Sequence, residues 1–231
     1  MQNTKNNMKK IIYSLITALL LVGTYQEVAA QAGKDVPTEK TRRFLVRYLG
    51  SLDTAKTYET KANLLRGIEM VANASKSDWI SQYHASFQNA VLSIEKKDTA
   101  EASRMLNKAE EFIKTANSIQ PNESEIVLLR AMINGMRIGQ NPSLGAALGP
   151  DVMKGYAEAK KLNAENPRVY LVLGESYMYM PEEAGGGMKV AKANLEIALK
   201  KYENEKHDDP AWPTWGKDRA LQLLAEIESK K

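Results

Sequence analysis

The sequence predicts an all-α chain of antiparallel helix pairs stacked side by side. Three observations carry this. Apolar residues recur at spacings of three and four along almost the whole length, and no stretch alternates as a half-buried strand would. Gly and Pro number only 14 and 8 in 231 residues, and the prolines and the glycine run fall between the periodic stretches. Finally, one stripe repeats. Ala102, Leu106, Ala109 and Ile113 sit at i, i+4, i+7 and i+11, and Ala191, Leu195, Ala198 and Tyr202 keep the same spacing 89 residues later.

The first element is an export signal. Lys5, Lys9 and Lys10 precede the apolar run Ile11 to Val22, and Ala30-Gln31-Ala32 supplies the small residues of a cleavage site. The charge-free stretch from Ile11 to Gln26 is shorter than the roughly 20 residues of a spanning helix. Residues 1–32 are therefore expected to be a cleaved signal peptide, and residues 33–231 a single helical domain. Cleavage removes three lysines and Glu27, leaving 199 residues with 29 basic and 27 acidic side chains. A net charge of +2 over that length does not call for nucleic acid. The chain is long enough for one sizeable core.

About nine helices follow. The first is expected from Thr38 to about Leu49 and the second from about Ala55 to Ala74. Ser77-Asp78 caps a third that reaches about Glu95. Asp98 or Thr99 caps a fourth that runs to Ile119, where Pro121 stops it. Glu123 to Ile138 is the fifth. Gly139 to Pro150 reads as a loop, rich in Gly, Pro, Asn and Ser. Asp151 then caps the sixth, which ends near Ala164. Asn166-Pro167 opens the seventh, which ends before Pro181. Gly187 leads into the eighth, to about Glu203, and the ninth runs from about Thr214 to Ser229. Short links make consecutive helices antiparallel neighbours.

The helix before the last stripe carries Tyr170, Leu173, Gly174 and Tyr177 on one face. The glycine permits close approach and the rings fill the space beside it. With Ala191, Leu195 and Ala198 these residues resemble a tetratricopeptide repeat (TPR): large-x2-Leu-Gly-x2-Tyr on one helix, Ala-x3-large-x2-Ala on the next. The segment from Pro181 through Gly187 is about five residues longer than the standard turn of that repeat. Two poorer pairs precede it. One joins Trp79 and Tyr83 to Ala102, Leu106 and Ala109. The other joins Val127 and Ala131 to Gly155, Ala159 and Leu162. The whole mature chain also resembles secreted TPR proteins of Bacteroidetes-type bacteria. That resemblance rests on Trp79-x3-Tyr83, Pro121 to Ile126, Asn166-Pro167-Arg168, the Pro181 to Gly187 turn and Trp215-Gly216. It implies a solenoid of about three helix pairs, with two N-terminal helices capping one end and a C-terminal helix capping the other. It also implies export, and no particular chemistry.

Few residues invite catalysis. Cys is absent, which excludes disulfides, thiolate metal sites, a Cys nucleophile and a lipid-modified N-terminal cysteine. Only His84 and His207 exist. His84 has no nearby carboxylate in sequence to orient it and reads as a half-exposed helix residue. His207-Asp208-Asp209 could touch a metal, but adjacent side chains seldom converge on one ion, so it reads as a solvated loop. Gly185-Gly186-Gly187 precedes a helix but lacks the Lys-Ser/Thr of a phosphate loop, so it reads as a permissive turn. Glu175-Ser176 resembles the Glu-Ser of lytic transglycosylases, whose downstream Gly-Leu-Met-Gln segment is missing here. Trp79, Tyr83, Tyr170, Tyr177, Trp212 and Trp215 could form a sugar or peptide platform, though repeat spacing favours the core. Trp212 to Gly216 is expected to seal the last helix onto the pair before it.

If the first helix of each pair lines a concave groove, Arg168, Leu171, Glu175 and Met178 face it. Charge mixed with flexible apolar surface suits a peptide or a partner helix. The reading is a periplasmic or secreted, non-enzymatic protein–protein interaction or scaffold protein without metal or cofactor. It has no membrane span once the signal is removed. The alternative is an envelope protein that binds or acts on peptidoglycan or another glycan through Glu175 and the aromatic residues.

Overall fold

The computed structural model describes residues 39–229. The expected signal peptide and the expected helix start at Thr38 lie outside the described residues. Among the described residues there are nine α-helices, two short 3₁₀ turns and no strand. No helix among them is long and apolar enough to cross a membrane. The chain divides into two compact units, one ending at Ala85 and one beginning at Ser86.

The first unit holds α1 (Glu39–Leu52), α2 (Tyr58–Ala74) and the start of α3 (Trp79–Ile94). Thr41, Leu45 and Tyr48 form the buried stripe of α1. It meets α2 at Gly67, where an added Cβ would lie 2.6 Å from the Tyr48 ring, so any side chain there would have to displace that ring. Thr57 opens α2 by accepting a hydrogen bond from the Thr60 amide. Asp78 opens α3: it accepts from the Ile80 amide, from the Ser81 hydroxyl and from Arg42 Nη2 at 2.9 Å. Gln82 is buried but donates to the Ala72 carbonyl at 2.6 Å, which satisfies its amide. His84 is not half-exposed as expected. It is 5% exposed, edge-on to Tyr83, because it sits on a helix face that is itself buried.

The second unit contains the rest of α3, then α4 (Thr99–Ile119), α5 (Ser124–Gln140), α6 (Gly145–Leu162), α7 (Pro167–Tyr179), α8 (Met188–Asn204) and α9 (Lys217–Ser229). Consecutive helices pack as hairpins, most extensively α5 with α6 and α7 with α8, and α9 lies on α8. Local signals set the helix ends. Asp98 accepts from the amides of Ala100 and Glu101 and opens α4. Asn166 accepts from the Arg168 amide, and Pro167 stands at the first helical position of α7, where its missing N–H costs nothing. Both repeated stripes are buried: Ala102, Leu106, Ala109 and Ile113 on α4, and Ala191, Leu195, Ala198 and Tyr202 on α8. Gly174 marks a close approach of α7 to α8, since a Cβ there would lie 2.7 Å from Leu195 Cγ and 3.2 Å from the Ala191 carbonyl oxygen.

Several boundaries differ from the sequence reading. α1 runs on to Leu52, past the expected end near Leu49, and α2 begins at Tyr58 after its Thr57 cap and not near Ala55. The expected loop from Gly139 to Pro150 is mostly ordered backbone. A 3₁₀ turn at Pro142–Leu144 leads straight into α6 at Gly145, and Asp151 lies inside that helix and is exposed. Pro150 lies in the second turn of α6, where it has no N–H to offer the Ala146 carbonyl, but its ring holds a helical φ and the helix continues through it. The helix formers Ala146, Ala147 and Leu148 favour carrying α6 back through it. At the other end α9 starts at Lys217 and not near Thr214, because Gly216 has φ +113°, which no helix residue adopts.

Candidate functional site

The four residues expected to line a groove do not share an exposed face. Leu171 and Met178 belong to the hydrophobic core between α5, α6, α7 and α8. Arg168 is 1% exposed, and its position is decided by two carboxylates far away in sequence. Its Nε donates to Glu125 Oε1 on α5 at 2.8 Å. Its two terminal nitrogens hold Glu205, just past α8, in a bidentate pair. Glu125 is itself 2% exposed. A charged side chain is buried in this way only when paired and hydrogen-bonded, and here Arg168 answers two carboxylates at once. Only Glu175 retains substantial exposure, and it accepts from Arg219 on α9 at 3.1 Å.

The Arg168 cluster also clamps the segment between α8 and α9. Arg168 Nη1 and the Tyr202 hydroxyl both donate to the Trp215 carbonyl, at 3.5 and 3.0 Å. The Trp215 ring stacks on Phe87 with centroids 4.7 Å apart. Burial raises the Tyr202 phenol well above its ordinary range, with Glu125 and Glu205 reinforcing the shift and Arg168 opposing it. Trp215 thus seals the last helix onto the body.

The remaining candidates are placed as follows. Tyr170, Leu173 and Gly174 are buried, with the Tyr170 hydroxyl donating to the Ala164 carbonyl at 3.1 Å. Tyr177 packs partly buried at the core edge. His207 stacks on Trp212, with centroids 4.2 Å apart and planes 16° apart. Asp209 accepts from the Ala211 amide at 2.8 Å, so the His207-Asp208-Asp209 segment is a structured turn. Among the described residues no three His, Asp or Glu side chains converge as a metal site would require. The Gly185–Gly187 turn is closed by its own backbone: the Gly186 and Gly187 amides donate to the carbonyls of Pro181 and Tyr177. Both Gly185 and Gly187 have positive φ, the conformation that glycine alone adopts freely. Glu175 lacks the apolar pocket that a glycosidase general acid needs, being more than a third exposed and paired with Arg219.

Sequence reasoning did not single out three apolar residues on the first helices of the last two pairs. Met132 and Met136 lie one turn apart on α5, partly buried, and Tyr179 on α7 is 75% exposed. The 43-residue offset that separates Glu125 from Arg168 also separates Met132 from Glu175 and Met136 from Tyr179.

No family model matches this sequence, and no curated protein matches it. Among solved structures the chain is similar to the HusA haemophore from Porphyromonas gingivalis. The two share 27% sequence identity and a TM-score of 0.72 over 81% of this chain and 92% of that one.

Proposed function

We propose that this chain is an exported, non-enzymatic binding protein that carries haem or a related porphyrin. The observation that carries the reading is the likeness to a haemophore, which extends over 92% of that protein and is accompanied by 27% identity. The resemblance to secreted TPR proteins and the N-terminal signal pattern support export. Met132, Met136 and Tyr179, placed on one face if that 43-residue offset holds along both helices, suit a flat apolar ligand, since flexible thioethers adapt to a ring face and a tyrosine offers an edge or a stack. Arg219, 42% exposed and paired with Glu175, is a cation that a carboxylate substituent would engage by exchanging that partner. A porphyrin is proposed here where the sequence reading had a peptide, and the same residues would also accommodate a partner's helix.

The test is a titration with haemin and, separately, with iron-free protoporphyrin, followed at the Soret band. Saturable binding is expected, weakened in a Met132→Ala/Tyr179→Ala double variant whose helicity is unchanged. The two arms separate contact with the ring from contact with the metal. If neither porphyrin gives a saturable shift, the reading fails. Undiminished binding by the double variant would leave the ligand but displace the site.

A further inference from the structure

We propose a second, separate ligand site in the cleft between the start of α7 and the segment that follows α8, for a neutral polyhydroxylated ring such as a single sugar residue. The cleft has a volume of about 180 Å³ and is walled by Asn163, Asn204, Lys206, His207 and Trp212, with Glu125 at its floor. Sites for drug-sized ligands begin near 300 Å³, so this one takes a single ring and not a porphyrin.

The walls are held in place from behind. Glu125 and Glu205 are gripped by the buried Arg168. Glu205 Oε1 in turn lies 3.1 Å from His207 Nε2, which fixes the imidazole flat against the Trp212 indole. The aromatic wall is therefore set before any ligand arrives, and preorganisation lowers the cost of binding.

The polar groups left for a ligand are of both kinds. Asn163 uses its Oδ1 on the Glu165 amide, which leaves its amide N–H groups as donors. Asn204 uses its Nδ2 on the Lys200 carbonyl, which leaves its Oδ1 as an acceptor. His207 uses Nε2 on Glu205, which leaves Nδ1. A sugar hydroxyl both donates and accepts, and matches such a mixture. Most charged lining groups are already paired, Glu125 and Glu205 with Arg168 and Glu165 with Lys201, so a charged ligand would compete with those pairs. A neutral ring with hydroxyls on its rim and C–H groups on its face needs no such exchange.

The experiment follows the Trp212 indole N–H by NMR while the full mature chain is titrated with the methyl glycosides of glucose, galactose, mannose and N-acetylglucosamine, and with acetate and methylammonium. At least one glycoside is expected to give a saturable shift with a dissociation constant around the millimolar level. His207→Ala should weaken it about tenfold without changing the melting temperature, a factor that corresponds to about 1.4 kcal/mol. Asn204→Ala serves in its place if His207→Ala fails to fold. No saturable shift with any glycoside overturns the proposal. So does binding unchanged in the folded variants, or an equal response to acetate or methylammonium. Displacement of the glycoside by haemin also overturns it, because the cleft would then belong to the porphyrin site. The proposal does not rest on porphyrin binding, and a chain that binds glycoside but not porphyrin would sink only the latter.

Discussion

Replacing Arg168 by Met tests whether the buried ion cluster holds the second unit together. Methionine keeps much of the stem's apolar contact and removes the guanidinium. Glu125, 2% exposed, and Glu205, with a side chain 14% exposed, then lose their cation. Breaking a buried pair from one side costs about 3–5 kcal/mol, because the remaining charge keeps its desolvation penalty without its attraction. For a chain of this size each kcal/mol lowers the melting temperature by about 2–4 °C, so a fall of roughly 10 °C is expected. Converting Glu125 to Gln in the same chain removes one stranded charge. The double variant Arg168→Met/Glu125→Gln should therefore recover stability relative to the single one, with a coupling energy of about 1–3 kcal/mol in the cycle. Urea unfolding followed by tryptophan fluorescence reads this directly, since Trp212 and Trp215 both lie in the segment that Arg168 clamps. Wild-type stability in Arg168→Met would refute the argument, as would strict additivity in the double variant. The first result, joined to a loss of ligand capture, would restore Arg168 to an exposed groove.

Two further outcomes follow from the packing and the titrating groups. Gly174→Ala gains about 1 kcal/mol of helix propensity but forces a Cβ to 2.7 Å from Leu195 Cγ, an overpacking worth about 1–3 kcal/mol. It should lower the melting temperature, whereas Gly50→Ala in α1, which meets nothing within 4 Å, should raise it; equal effects would show that the α7–α8 contact is looser than described. Burial pushes the Tyr156 phenol up to about 12, with the nearby Glu175 charge adding to the shift and a hydrogen bond to Ser176 opposing it. The folded form then holds a proton that the unfolded chain releases near 10, so stability is full below pH 10 and declines as the pH rises toward 12. Tyr156→Phe should flatten part of that alkaline slope in urea unfolding at stepped pH, and an unchanged slope would place the titration elsewhere.

The repeated stripes were legible because a helix reports its buried face through its own spacing. Ala102, Leu106 and Ala109, and Ala191, Leu195 and Ala198, need only periodicity to be read, and all six are buried. Gly174 was legible for a related reason, since a glycine among large residues on a helix face marks close approach. Other positions depended on partners that no local pattern names. Arg168 looks like a surface charge at the start of a helix, and its burial depends on Glu125 and Glu205, 43 and 37 positions away. His84 looks half-exposed until the burial of its helix face is known. His207 looks solvated until Trp212 comes to lie flat against it. Pro150 looks like a loop residue because proline usually ends helices, yet α6 runs through it from Gly145.

The sequence by itself determined that this protein is built of paired helices, where most of them begin and end, and which stripes face inward. Those are consequences of helical periodicity, capping and the conformational preferences of Gly and Pro, all of which act within a few residues. Only the tertiary structure decided which charges are buried, which aromatic rings meet and where a ligand could lodge. Those outcomes depend on desolvation balanced against contacts between residues tens of positions apart, and that balance exists only once the helices have packed.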